Sequence, residues 1–134
     1  MTWHQLIQQV RHHGRYATDK EAENVLHAVL AALGAQLIAE ERCELAATLP
    51  EPARTTFSQQ IPLTQPLTAP AFVNTIARTL NTTPAQARWH TTSALAALTE
   101  LAELTGQPLI DRLLAQLPRG YALLFCRPEL TSAA

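Results

Sequence analysis

The stretch AENVLHAVLAALGAQL, residues 22–37, carries the pattern that decides the fold. Its apolar side chains recur at steps of three and four residues, which places them on one face of an α-helix. The members of this stripe are Ala22, Val25, Leu26, Val29, Leu30, Leu33 and Leu37. The opposite face holds polar or small residues, namely Glu21, Asn24 and Ala28. The stretch therefore predicts an amphipathic helix with one buried and one exposed side.

The sequence around this helix returns later in the chain, which indicates an internal repeat. At an offset of 68 residues, LPEPARTTF (49–57) returns as LPRGYALLF (117–125). At an offset of 65 residues, matching residues lie around the two long helices: Thr18, Ala22, Leu30, Ala32 and Leu33 return as Thr83, Ala87, Leu95, Ala97 and Leu98. The repeat predicts a single domain, residues 1–134, made of two pseudo-symmetric helical units at about 2–58 and about 69–126.

A connector at about 59–68 separates the two predicted units, and a short C-terminal tail, 127–134, follows the second. The connector contains Pro62 and Pro66, which favour extended backbone. We expect it to pack against the domain through Ile61, Leu63 and Leu67.

Threonine-based capping patterns mark where several helices begin. Thr2 with Gln5 and Thr18 with Glu21 form Thr-x-x-Gln/Glu capping boxes, and Thr83 precedes a proline at the first helical position. Together with the apolar periodicity, these signals predict an all-α fold of about eight helices, including short ones. Their approximate ranges are 2–13, 18–37, 40–48, 50–58, 69–80, 84–105, 108–117 and 119–126.

Composition argues against several classes of function. The chain has 134 residues with ten basic and eleven acidic side chains, so it lacks the excess of positive charge that nucleic acids or anionic membranes attract. Its apolar runs are too short to cross a membrane, and the start of the chain is unlike a signal peptide. Cys43 and Cys126 lie 83 positions apart and match neither a zinc-binding nor a CxxC redox pattern, so we interpret them as reduced thiols; the alternative is one disulfide that closes a long loop. We therefore expect a cytoplasmic protein that binds neither nucleic acid nor membrane.

The five histidines do not form a metal-binding pattern. They are His4, His12, His13, His27 and His90, and no HExxH motif or Cys/His cluster joins them. His12 and His13 suit a helix C-terminus, where Gly14 could provide a left-handed cap. The chain also lacks a nucleophile elbow, a P-loop and a dinucleotide-binding glycine motif. We therefore assign no catalytic residue, no cofactor and no metal ligand from the sequence.

Three residues are candidates for contact with a partner or a ligand: Trp89, His90 and Leu104. The repeat aligns His90 with the inward positions Val25 or Ala22, so we expect a buried imidazole bonded to a carbonyl or to a hydroxyl such as that of Thr91. Alternatively, His90 lines a ligand cavity.

The repeat aligns Trp89 and Leu104 differently from His90. Trp89 aligns with the outward residues Asn24 or Glu21, where it would pack against the connector or against another protein. Leu104 aligns with Gln36 or Ala39 and is a second candidate for an exposed apolar contact.

The tandem arrangement resembles a bacterial family known as domain of unknown function 2267. The most diagnostic stretches are AENVLHAVLAALGAQL (22–37), LAATLPEPARTTF (45–57) and LLAQLPRGYALLF (113–125). The resemblance implies a small, soluble, all-α bacterial protein built of two related helical units. It transfers no catalytic residue, because the family has no assigned activity.

These observations favour a protein-interaction or accessory module without catalytic activity, whose partner is another protein or a second copy of the chain. The alternative is a small-molecule carrier that binds its ligand between the two units near His90. An unrecognised enzyme is a further alternative. Nucleic-acid binding would require a basic face assembled from several arginines, namely Arg78, Arg88, Arg112 and Arg119.

Overall fold

The computed structural model describes residues 1–127, which form eight α-helices and no strand. In chain order these are α1 (Trp3–Gly14), α2 (Asp19–Gly34), α3 (Ala39–Thr48), α4 (Ala53–Ser58), α5 (Ala69–Leu80), α6 (Pro84–Glu103), α7 (Leu109–Ala115) and α8 (Tyr121–Leu124). The predicted all-α, single-domain fold is confirmed. Two-fold pseudo-symmetry of the units stays a prediction, and the tail beyond Arg127 lies outside the described residues.

The helices begin at the predicted threonines. Thr2 and Gln5 form a complete capping box, with the Gln5 amide 3.1 Å from the Thr2 hydroxyl and the Thr2 amide 2.9 Å from the Gln5 side-chain oxygen. Thr18 and Thr83 each accept a hydrogen bond from the amide three residues later. Thr68, which the sequence analysis did not single out, caps α5 in the same way. Local side-chain chemistry therefore sets where these four helices start, whereas α3, α4 and α7 begin without a side-chain cap hydrogen bond in the described part of the chain.

The end of α1 differs from the expectation for Gly14. Gly14 is the last helical residue, and Arg15 adopts the left-handed conformation with φ of 55°. A Cβ at position 14 would lie 2.1 Å from Cε2 of Tyr16, so the glycine is needed for close packing. The absence of a Cβ at Gly14 thus allows the Tyr16 ring to lie against the helix end.

Helices α2 and α6 form the centre of the core. Both pack against α1 and α5 as well as against each other. The whole predicted stripe of α2 is buried, and its α6 counterpart contributes Ala87, Ala94, Leu95, Leu98, Leu101 and Ala102. Ala28, which the periodicity placed on the exposed face, is also buried, because it faces a cleft closed by the connector and α5. The second face of α2 is therefore covered by chain from further along the sequence.

The connector is held mainly by hydrogen bonds rather than by its apolar side chains. Ile61 is 85% exposed and Leu63 is 42% exposed, so the expectation that they pack inward is wrong, whereas Leu67 is half-buried. The Leu63 amide donates to the Ala35 carbonyl at 2.9 Å. The Leu67 amide donates to the Gln36 side chain at 2.7 Å, and the Leu67 carbonyl accepts from the Tyr121 hydroxyl at 2.8 Å. These three bonds tie the backbone of the connector at Leu63 and Leu67 to the end of α2 and to α8.

Helices α3 and α7 meet through a charged contact. The Arg112 guanidinium donates to both carboxylate oxygens of Glu44, one of them at 2.8 Å, and lies 3.8 Å from Glu41. These hydrogen bonds hold the pKa of Glu44 below its usual value. Glu44 and Arg112 are separated by 68 positions, the offset of the second part of the repeat. The contact therefore joins corresponding positions of the two predicted units.

Gly34 at the end of α2 provides a test of the packing. A Cβ at this position would lie 2.3 Å from the backbone oxygen of Phe57, which belongs to α4 and cannot move without shifting that helix. We expect Gly34→Ala to lower the free energy of unfolding by about 3 kcal/mol, the upper range for overpacking a core. Chemical denaturation measures this.

Gly106→Ala is the control, since Gly106 has a positive φ of 74° but no neighbour within 4 Å of an added Cβ. It should cost only about 1 kcal/mol, from backbone strain. A Gly34→Ala protein more stable than wild type, as helix propensity alone predicts, would show that the close contact is wrong.

Candidate functional site

His90 contacts the turn between α1 and α2. Its Nδ1 lies 2.5 Å from the Tyr16 hydroxyl, and the two ring centres are 5.5 Å apart. The expected hydroxyl partner is therefore present, but it is Tyr16 and not Thr91, whose hydroxyl donates to the Ala87 carbonyl at 2.7 Å. His90 is half-buried. Its visible role is to join α6 to the first part of the chain.

Burial sets the protonation of this pair. It raises the pKa of Tyr16 to about 12, with a smaller opposing effect from the Ser93 hydrogen bond. It also lowers the pKa of His90 below its usual value, against a weaker opposing effect of the Glu21 carboxylate. At neutral pH the phenol therefore stays protonated and donates to a neutral imidazole. A tyrosine with such a high pKa suits a structural hydrogen bond better than proton transfer.

Trp89 also lies against the end of α1. Its indole Nε1 donates to the Gly14 carbonyl at 3.1 Å, and the residue remains 50% exposed. The intramolecular contact predicted for Trp89 is thus made with α1 instead of the connector. The exposed half of the indole is still available to a partner.

Leu104 lies far from the other two candidates. It is 69% exposed and follows the last residue of α6, whereas Trp89 and His90 lie in the second turn of that helix. Fifteen residues of helix separate Trp89 from Leu104, a rise of about 22 Å. The structure brings Trp89 and His90 together at the α1–α2 turn and leaves Leu104 at the opposite end of α6. Its contact with a partner stays a prediction.

An open groove lies close to Trp89, in the second half of the chain. It has a volume of about 590 Å³, within the range typical of ligand sites. One side of α5, the first turns of α6, and the residues from the α7–α8 turn into α8 form its walls. The apolar lining consists of Ala69, Pro70, Val73, Pro84, Ala85, Leu123 and Leu124. We call this site the α5–α6–α8 groove.

Two arginines and an asparagine supply the polar side chains of the α5–α6–α8 groove. They are Arg88 on α6, Arg119 in the turn before α8, and Asn74 on α5, and all three are exposed. Within residues 1–127, neither arginine makes an ion pair or a side-chain hydrogen bond. Arg112, by contrast, is engaged by Glu44 and Glu41. Arg88 and Arg119 therefore give an apolar groove two unneutralised positive charges.

Gly120 fixes one wall of the α5–α6–α8 groove. It has a φ of 97°, and a Cβ added to it would lie 2.9 Å from the Cβ of Ala69 on α5. A glycine therefore allows the turn before α8 to approach α5 closely. Arg119, which precedes Gly120, and Leu123, which follows it in α8, therefore line the same groove as α5.

Part of the groove lining is exposed apolar surface. Leu123 on α8 is 52% exposed, and Trp89 follows Ala85 by one turn of α6. Trp89, His90 and Leu104 are all absent from the lining of the α5–α6–α8 groove, and the Trp89 indole is bonded to Gly14 of α1 instead. The sequence analysis named Arg88 and Arg119 only as parts of a hypothetical nucleic-acid surface. It missed Leu123 and the groove itself.

A second, smaller cleft of about 290 Å³ lies between α2, the connector and α5. Its most buried polar side chain, Gln36, is already satisfied, because it donates to the Ala32 carbonyl and accepts from the Leu67 amide. The part of the chain that the structure describes holds no group of three potential metal ligands and no helix long and apolar enough to span a membrane.

The lowered pKa of His90 predicts a pH dependence of stability. The pKa of His90 is lower in the folded protein than its unfolded value of about 6.5, so below pH 6.5 the unfolded chain takes up a proton more readily than the folded one. The free energy of unfolding therefore falls as pH drops below about 6.5. We expect the melting temperature of wild type to fall further between pH 8 and pH 5 than that of His90→Gln. His12→Gln, which changes an exposed histidine, should behave as wild type. Equal losses in wild type and His90→Gln would contradict the assignment.

Comparisons with known proteins agree with the resemblance seen in the sequence. No curated protein matches the chain. A family model described as an uncharacterized conserved protein, DUF2267, matches residues 3–124 and so includes both halves of the predicted repeat and all residues of the α5–α6–α8 groove. The protein therefore belongs to the family of domain of unknown function 2267.

Proposed function

We propose that the protein is a non-catalytic interaction module that binds another protein through the α5–α6–α8 groove. The observation that carries this proposal is the combination of an apolar lining with the unneutralised Arg88 and Arg119. Protein interfaces commonly have such an apolar centre with polar groups at the rim. Arginine is also among the residues most often found at their energetic centres.

The composition of the groove supports binding over catalysis. Among the lining residues that the structure describes, the polar side chains are two guanidinium groups and one amide, with no carboxylate, imidazole, thiol or hydroxyl. General acid–base or nucleophilic chemistry at neutral pH needs one of those groups. A partner seated here would be held and oriented without being transformed.

A comparison of the two predicted units indicates that the groove is a special feature of the second. At the repeat offsets, Arg88 corresponds to Glu23 and Arg119 corresponds to Glu51. Glu23 lies 4.0 Å from Lys20. Glu51 accepts a hydrogen bond of 2.6 Å from Thr55, the residue that corresponds to Leu123. The equivalent surface of the first unit is thus acidic and internally paired, whereas that of the second is basic and apolar.

The proposed location is the cytoplasm. Cys43 and Cys126 are both free thiols and both exposed, a state that a reducing compartment preserves. The partner is then a cytoplasmic protein.

Site-specific photo-crosslinking in living cells tests the proposed function. A photoreactive amino acid replaces Leu123 in the groove and, in a control protein, Ile61 in the connector, since both side chains are exposed. We expect a discrete cross-linked product with another protein at position 123 but not at position 61. Adding Arg119→Glu should reduce that product at least fivefold, while Arg78→Glu, which makes the same charge change on an exposed residue of α5, should leave it intact.

Two results would contradict the proposed function. One is the same set of cross-links at positions 123 and 61. The other is a product at position 123 that Arg119→Glu and Arg78→Glu affect equally, because the groove would then not be the binding surface.

The carrier hypothesis places a small molecule between the two units near His90, whereas the described residues that line the α5–α6–α8 groove belong to 69–124. Native mass spectrometry of protein purified from its own host separates the two ideas. The interaction proposal predicts either the 14.7 kDa chain or a complex with another polypeptide. An added mass of a few hundred daltons would favour the carrier.

A further inference from the structure

We infer that the occupant of the α5–α6–α8 groove is an acidic amphipathic helix of a partner protein, with apolar side chains that enter the groove and carboxylates that meet Arg88 and Arg119. This inference rests on the proposed function and specifies the kind of partner. Three properties of the groove support it: its backbone, its shape and its charge.

The backbone of the groove walls favours a helical occupant. All lining residues belong to helices or to the turn before α8, so none offers a strand edge to which a peptide could add. Pro70 and Pro84 have no amide proton to donate. A main chain placed over this apolar lining must therefore satisfy most of its own N–H and C=O groups, which an α-helix does.

The shape of the groove suits large side chains from one face of such a helix. Ala69 and Ala85 have short side chains, so they leave room within the groove, while Val73 and Leu124 give it apolar sides. A helix presents neighbouring side chains at three- and four-residue steps on one face. Leucine, isoleucine, methionine or phenylalanine at such steps would remove this lining, including the exposed part of Leu123, from water.

The charge of the groove selects an acidic partner. Arg88 and Arg119 have no counter-ion within residues 1–127, and both α5 and α6 begin at the groove, where helix dipoles add positive potential. Guanidinium groups bind carboxylates through two parallel hydrogen bonds. A basic segment would be repelled by the same residues, so these arginines provide specificity as well as attraction.

Selection from a peptide library tests the inference. Two pools of displayed 16-residue peptides are used, one compatible with a helix and one with a central proline that prevents it. We expect wild-type protein to enrich sequences from the first pool only, with large apolar residues at i, i+3 or i+4, and i+7 and with Asp or Glu beside them. Enriched peptides are then synthesised with a fluorescent label, and their affinity is measured by fluorescence anisotropy.

Matched variants show whether these peptides bind in the groove. Arg119→Glu and Leu123→Glu should each weaken binding at least tenfold, and Arg78→Glu and Ile61→Glu should change it less than twofold. Binding to wild type should also weaken as salt rises, since charge attraction is screened. A synthetic peptide of residues 128–134 serves as a competitor. Displacement of the probe by this peptide at a similar concentration would assign the groove to the chain's own end and overturn the inference.

Several other outcomes would also reject an acidic helical partner. These are enrichment from the proline-containing pool, enriched peptides without acidic residues, no enrichment at all, or equal effects of Arg119→Glu and Arg78→Glu. Concentration-dependent dimerisation of the protein that Arg119→Glu abolishes would make a second copy the occupant. None of these results alters the cross-linking test, so the proposed function is judged separately.

Discussion

The fold depends on removing the apolar faces of α2 and α6 from water, which neither helix can achieve alone. Aromatic residues make up only 5% of the chain, so the core is built mainly from leucine, alanine, valine and isoleucine. Side chains of this size require close approach of the helices to fill the interior. At Gly34 the approach is so close that the carbonyl of Phe57 occupies the space of a side chain. The positions of the surrounding helices are therefore set by the need to cover α2 and α6.

Polar contacts fix how the two halves of the chain are oriented on this apolar core. Arg112 pairs with Glu44, and Tyr16 donates to His90, each across more than 60 residues of sequence. Exposed charged pairs contribute little to stability, and a buried hydrogen bond contributes only modestly. Their directional geometry can nevertheless select one arrangement among several of similar burial. Trp89 and His90 make contacts of this orienting kind, which explains why their ring nitrogens face the end of α1 and the turn that follows it.

The sequence predicted what local chemistry controls. A threonine cap accepts from an amide three residues away, so the starts of the capped helices could be inferred. The apolar spacing is likewise visible within a single helix, so the buried stripe of α2 could be inferred too. Ala28 was misplaced because the chain that covers it, including Leu67, lies about 40 positions later. Gly14 was misinterpreted because a glycine after a helix indicates a left-handed cap and a close ring contact equally well. The groove was missed because Arg88 and Arg119 are brought together only by packing of α8 on α5 and α6.

The charges at the groove are not explained by the fold. At the offsets of the predicted repeat, Glu23 and Glu51 correspond to Arg88 and Arg119, and α2 and α4, where the first unit carries them or the turn beside them, are packed against each other. Exposed positions that accept either sign of charge without altering the helices are not held by packing. Leaving Arg88 and Arg119 unneutralised beside exposed Leu123 brings no folding benefit, since exposed apolar surface is unfavourable in water. A partner that covers the leucine and neutralises the arginines would give these three residues a common purpose.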